Sequence, residues 1–178
     1  MLGYDIDDLK ASDAPEFVAL FRSYAEELLH IQSTLTTEAV VRDGLGSGFD
    51  GALAREQSTQ EMVGLVAWQQ SYDLHWGIRG AAVLDLYVAP EHRCRALGPA
   101  LLNHVARRTA SAGGCFLVGQ GIVNPSHPER LHQRCAVTHE GVECILGGRA
   151  FEVFAALRPS DLREFIRALS PKEWNYLP

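Results

Sequence analysis

The stretch from Leu84 to Leu102 reads Leu-Asp-Leu-Tyr-Val-Ala-Pro-Glu-His-Arg-Cys-Arg-Ala-Leu-Gly-Pro-Ala-Leu-Leu. It holds an apolar strand, a stop at Ala89-Pro90, an arginine-bearing turn and a helix that opens beside Gly98. A helix N-terminus behind a small-residue turn presents backbone N–H groups and the positive end of the dipole, which suits a phosphate. Arg93 and Arg95 add fixed positive charge. The turn Arg93-Cys94-Arg95-Ala96 and the first helical residues Leu97, Gly98, Pro99 and Ala100 are therefore a candidate pyrophosphate seat. The alternative is a strand-to-helix turn with a solvated arginine pair. Other constellations carry less. His127, His132 and His139 are spaced by five and seven, which does not place them on one helical face, so no metal site is expected. Ser111 and Ser126 lack the G-x-S-x-G elbow of a hydrolase. Trp68, Trp76 and Trp174 read as packing residues.

The elements that must position this segment are set by periodicity. Ser12 and Asp13 are candidate N-caps and Pro15 suits a first turn. Phe17, Leu20, Phe21, Tyr24, Leu28 and Ile31 then recur at three and four, which predicts an amphipathic helix. A short helix is expected over 36–43, ended by Gly44, Gly46 and Gly48, and strands over 49–55 and 62–69 with a turn between them. Residues 71–80 read as a polar connection and 81–88 as a third, near-continuously apolar strand. Leu97, Ala100, Leu101, His104 and Val105 mark a helix that Ala112-Gly113-Gly114 ends. A strand over 115–123, a short helix over 128–135, a hairpin of 142–146 with 151–157, and a last helix over 161–169 complete the reading. The one clear strand–helix–strand crossover predicts an α/β fold with a mixed sheet. No repeat or linker is visible, so a single domain is expected over 1–178, its core about 12–157, with a C-terminal helix and tail over 158–178.

Composition narrows the partners. With 47% hydrophobic and 21% charged residues in 178, the chain is an ordinary globular one, long enough to bury a core without disulfide staples. Its 16 basic and 22 acidic residues give a net charge of −6, which disfavours nucleic acid and is compatible with a cationic substrate. Cys94, Cys115, Cys135 and Cys144 form no C-x-x-C pair, so structural zinc and a disulfide framework are not expected and reduced thiols in a cytoplasm are. Residues 1–10 show no apolar signal segment, and no stretch approaches the ~20 apolar residues of a membrane span, so no membrane partner is expected.

The same segment resembles motif A of the GNAT superfamily of N-acetyltransferases, in which a strand ending V-x-P precedes R-x-x-G-x-G and a helix. Here Val88-x-Pro90, Arg93 and Gly98 match, while Ala96 stands where the family has Gly and Cys94 where it often does. Leu35-Thr36-Thr37-Glu38, Asp43-Gly44, Val63-Gly64-Leu65-Val66-Ala67 and Leu84-Asp85-Leu86-Tyr87-Val88 look like the diamine (spermidine/spermine, thialysine) acetyltransferase branch. The resemblance covers about residues 24–157. It implies the GNAT (acyl-CoA N-acyltransferase) fold, a mostly antiparallel mixed sheet flanked by helices. It also implies acetyl-CoA held by Leu86, Tyr87, Val88 and the turn, with Asn124 and Ser126 on the next strand end, a small primary amine as acceptor, and a homodimer.

Transfer to an amine needs a group to take the ammonium proton and a proton for the departing thiolate. The branch has Glu where Leu84 stands, and its Tyr position falls on Leu131. His132, one residue on, is the candidate acid because imidazole titrates near neutrality, against the reading of a helix-surface histidine. Asp85, a charge within an apolar strand, is the second catalytic candidate, a structural hydrogen bond being its alternative. Glu26 and Glu27 lie where the branch has acceptor-binding residues, or else form a solvated helix face. The expected activity is acetyl transfer from acetyl-CoA to a polyamine or amino-acid-like amine. A GNAT-fold binding module with weak or no coenzyme use is the competing expectation, motivated by Ala96, Leu84 and the missing Tyr.

Overall fold

The computed structural model describes residues 3–119. Within them a five-stranded sheet runs in the order β1-β2-β3-β4-β5, formed by Tyr4–Asp8, Asp50–Glu56, Met62–Asp73, Ile78–Val88 and Phe116–Gly119. The first four strands pair antiparallel, and β5 lies parallel to β4 with Gly80 opposite Phe116. The parallel step requires a crossover, which α3, Leu97–Ser111, supplies. The architecture is a mostly antiparallel mixed sheet flanked by helices, as the resemblance implies.

Both faces of the sheet are covered, and β3 shows why its sequence is apolar without strict alternation. Leu65 and Ala67 pack toward Phe17, Val18 and Tyr24 of α1, Ala14–Tyr24. Val63, Val66 and Trp68 pack with Leu97, Leu101 and Val105 of α3. A strand buried on two sides must be hydrophobic throughout. The α1 helix begins as expected: Asp13 is its N-cap and Pro15 sits in its first turn. Its last turn, Ala25–Leu29, widens to π geometry before His30 turns left-handed. The second helix is short, Thr37–Ala39 (α2), capped by the Thr36 hydroxyl accepting from the Ala39 amide at 3.2 Å, and passes into another π turn, Val40–Gly44.

Two expectations are corrected. Residues 71–80 are not a loop: β3 and β4 remain paired out to Asp73 and Ile78, and only 74–77 turn. The extended ladder overrides the polar character of Ser71 and Asp73. The chain also begins with a strand that periodicity does not disclose. Tyr4 and Ile6 of β1 pack on the α3 side, while its acidic residues occupy an exposed sheet edge, a common protection against edge pairing. Asp8 ties β1 to α3 through His104 at 2.8 Å and Arg108 at 3.4 Å. The strand expected over 115–123 is present as far as it is described, through Gly119. The helix over 128–135, the hairpin of 142–157, the helix over 161–169, and His132, Asn124 and Ser126 lie outside the described residues. Among the described residues no helix is long and apolar enough to cross a membrane.

Candidate active site

The expected strand, turn and helix are in place. After β4, a single 3₁₀ turn, Pro90–His92, leads into residues 93–96 and then α3. The turn is built from two residues in the left-handed region, Cys94 and Ala96, each with φ near 60°. These are the positions where the resembling motif places glycine, so the backbone keeps the motif's shape although both residues carry a Cβ. Left-handed backbone costs a non-glycine residue about 1–2 kcal/mol. Left-handed residues in a turn that leads into a helix start are one way in which backbone N–H groups form an anion-binding concavity. The helix leaves the Leu97 and Gly98 amides without intrahelical acceptors, Pro99 has no N–H, and the Ala100 amide donates to the Ala96 carbonyl at 3.1 Å. Leu97 is buried and anchors the helix to the sheet, while Gly98 faces open space.

The side chains around the turn are committed to one another. Arg93 folds back: its Nε donates to the Val88 carbonyl at 2.9 Å, and its Nη2 lies 2.8 Å from Glu27 Oε1 and donates to Oε2 at 2.9 Å. Its guanidinium also sits 5.5 Å from the Tyr87 ring centroid. Arg93 therefore ties the turn to β4 and to the end of α1, while Arg95 is exposed. Arg95 Nη1 donates to the Tyr4 hydroxyl at 3.4 Å, and that hydroxyl is 3.1 Å from His92 Nδ1. Tyr4 links the turn to the edge strand, a role that sequence periodicity had no means of showing.

Toward α1 lies a second polar group. Tyr87 is buried and donates to Glu27 Oε2 at 2.7 Å, so burial and the adjacent carboxylate push its hydroxyl up to about 12. Tyr24, missed as a site residue because it continues an apolar helix stripe, donates to Asp85 and is raised far above the ordinary phenol value, first by burial and then by that carboxylate. Burial raises Asp85, and the Tyr24 hydrogen bond partly offsets the rise. Leu84 is the extra residue of a β-bulge: Ala67 pairs with Asp85 and Trp68 with Val83, leaving Leu84 unmatched and exposed. The bulge resets the alternation, so Leu86 and Val88 join Val83 on the α3 side while Asp85 and Tyr87 meet α1. Glu26 is exposed. Among the described residues no group of His, Cys, Asp and Glu could hold a metal. A cleft of about 780 Å³, lined by Trp68, Tyr72, Arg79, Arg108 and Thr109, opens at the far end of α3, ~20 Å from the turn by helix rise.

The mixed sheet thus places a left-handed turn at the start of α3 beside a tyrosine–carboxylate cluster. The acetyltransferase (GNAT) family model matches residues 13–135, and the chain belongs to that family. It is an acetyltransferase of the kind that uses acetyl-CoA. Similar solved structures include a ribosomal-protein-alanine N-acetyltransferase from Brucella melitensis biovar Abortus 2308, 23% identical with TM-score 0.63 over 82% of this chain and 99% of that one. An integron cassette protein from the mobile metagenome of V. cholerae is 12% identical, TM-score 0.70, over 88% and 100%. An aminoglycoside acetyltransferase from an uncultured soil metagenomic sample is 16% identical, TM-score 0.66, over 80% and 94%. At these identities the likeness concerns the fold. No curated protein matches the chain.

Two results are expected at this site. Ala96→Gly relieves left-handed strain of about 1–2 kcal/mol and gives back roughly 0.5–1 kcal/mol in chain entropy. The net gain is about 0–1.5 kcal/mol, a rise in Tm of up to ~6 °C. Removing the methyl group from the phosphate approach should also tighten acetyl-CoA about fivefold by calorimetry, equivalent to ~1 kcal/mol. Equal or weaker binding would mean that the turn already accommodates Ala96.

Asp85→Asn should be more stable than the parent near neutral pH. Because the folded Asp85 carboxyl titrates above its ordinary value of 3.8, its favourable contribution is complete only below that value and is lost as pH rises through the folded one. Asparagine carries no charge to desolvate and still accepts from Tyr24. The Tm difference should therefore shrink as pH falls below the ordinary carboxylate range. A difference independent of pH contradicts the assignment.

Proposed function

We propose that this enzyme transfers the acetyl group of acetyl-CoA to the primary amine of a small molecule, a polyamine or an amino-acid-like acceptor. The left-handed turn at Cys94 and Ala96 opening α3 carries the reading, because such a turn before a helix start leaves backbone amides available to an anion. Leu86, Tyr87 and Val88 offer their backbone along the pantetheine arm, and residues 93–100 the phosphate seat, with Arg95 outward. Asn124 and Ser126 complete the coenzyme contacts in this proposal.

Transfer joins the amine nitrogen to the thioester carbonyl carbon and breaks the carbon–sulfur bond. The incoming ammonium must first lose a proton. Asp85, with its affinity for a proton increased by burial, is the proposed acceptor, oriented by Tyr24. His132 is the proposed donor to the thiolate. The exposed Glu26 carboxylate and the net charge of −6 favour a cationic acceptor. The reading also takes 1–178 as one domain acting in the cytoplasm, as a homodimer. A panel of polyamines, amino acids and aminoglycosides with acetyl-CoA, read by product mass, tests the acceptor. Acetylated polyamine or amino acid supports the proposal, and acetylation confined to aminoglycosides or peptide N-termini contradicts it. Coenzyme binding without turnover of any amine would favour the binding-module reading.

A further inference from the structure

We propose that Glu27 is a positioning residue for the coenzyme turn, acting through Arg93, rather than a contact for the acceptor amine. The inference rests on the coenzyme seat proposed above and assigns it a support on the opposite side of the sheet. Glu27 belongs to the π turn that ends α1, sixty-six residues before Arg93. Both of its carboxylate oxygens lie within 2.9 Å of Arg93 Nη2, and Oε2 also accepts from Tyr87 at 2.7 Å. Arg93 in turn closes onto the Val88 carbonyl at 2.9 Å and lies over the Tyr87 ring. The carboxylate thus holds the strand end, the guanidinium and α1 in one network, with both side chains of the ion pair largely withdrawn from water.

The network matters because Arg93 leads directly into strained backbone. Cys94 and Ala96 occupy left-handed conformations that glycine adopts freely and other residues adopt only when their surroundings enforce it. Leu97, fully buried on the α3 side, fixes one end of the turn. Arg93 is the residue that fixes the other, and Glu27 is the group that holds Arg93. The widened last turn of α1 belongs to the same arrangement: it carries Glu27 inward while the adjacent Glu26 remains exposed. An ammonium seeking Glu27 would have to displace a guanidinium already bonded to both oxygens.

The test is a double-mutant cycle on the full chain with Glu27→Gln, Arg93→Gln and the pair. Calorimetry with acetyl-CoA gives the coenzyme affinity, and the amine KM is read separately. Each single change should weaken acetyl-CoA about tenfold, with the double variant no weaker than the worse single one, as expected for residues that act as a unit. The amine KM at saturating coenzyme should stay within about twofold. Ala96→Gly in the Glu27→Gln background should recover part of the lost affinity, because a turn without left-handed strain needs less bracing. Glu27→Asp, which keeps the charge, should fall between parent and Gln and serves if Glu27→Gln does not fold. Unchanged acetyl-CoA affinity with a raised amine KM overturns the assignment and returns Glu27 to the acceptor. A parent chain that does not bind acetyl-CoA overturns the coenzyme seat itself.

Discussion

Gly98→Val should abolish the thermal stabilisation that acetyl-CoA gives the protein, while changing the Tm of the ligand-free chain by at most a few degrees. At a hundredfold excess over Kd the coenzyme contributes about 2.7 kcal/mol, or roughly 5–10 °C for a chain of this size. Beyond its two chain neighbours a Cβ built at Gly98 meets nothing within 4 Å, and in the first turn of α3 valine is a better helix former than glycine by about a few tenths of a kcal/mol, which offsets part of the restriction that Pro99 places on a preceding residue with a Cβ. With the ligand-free Tm little changed, a lost coenzyme shift must come from what the side chain meets outside the protein. The branched group would stand over the Leu97–Gly98 amides where the phosphate is proposed to bind. A coenzyme shift of parental size in Gly98→Val would remove the seat from this turn.

The second large effect is structural and falls at Gly80. Here a Cβ would lie 2.5 Å from Phe116 ring carbons and 2.6 Å from the Phe116 carbonyl oxygen. The ring can swing away, but the carbonyl belongs to β5, which is paired in parallel register with β4 at this residue. Gly80→Ala therefore requires the two strands to separate, with an overpacking cost of about 1–3 kcal/mol. The expected loss is roughly 2–12 °C in Tm, accompanied by faster amide exchange along 80–83 and 116–119. An alanine variant as stable as the parent would mean that the β4–β5 contact yields more readily than its geometry implies.

The contrast between these two glycines also marks what a sequence can disclose. Gly98 was legible because it belongs to a local pattern of strand, turn and helix start, whose physical requirements are written within about twenty consecutive residues. The amphipathic spacing of Phe17, Phe21 and Tyr24 and the N-cap of α1 at Asp13 were legible for the same reason. Gly80 was not, since its neighbour Phe116 is supplied across the sheet by the chain's return through α3. The β-bulge at Leu84 is likewise a register property of two strands, and strict alternation along β4 had no means of locating it. β1 went unread because the acidic residues that suit an exposed edge also mask the Tyr4–Ile6 alternation. Within the site, Arg93 was recognisable as a basic residue at a phosphate turn, but its direction depends on Glu27 and Tyr87, sixty-six and six residues away. Tyr24 was legible only as an apolar helix position, because its partner Asp85 arrives from the far side of the fold.

The most direct measurement of the central claim is peptide-resolved hydrogen exchange with and without saturating acetyl-CoA. The backbone amides of 86–88 and 94–100 are expected to slow, because those groups would hold the coenzyme arm and its phosphates. The cleft at the far end of α3, represented by 70–72 and 108–114, should exchange unchanged. Protection concentrated at that cleft, with the 94–100 amides unaffected, would contradict the account.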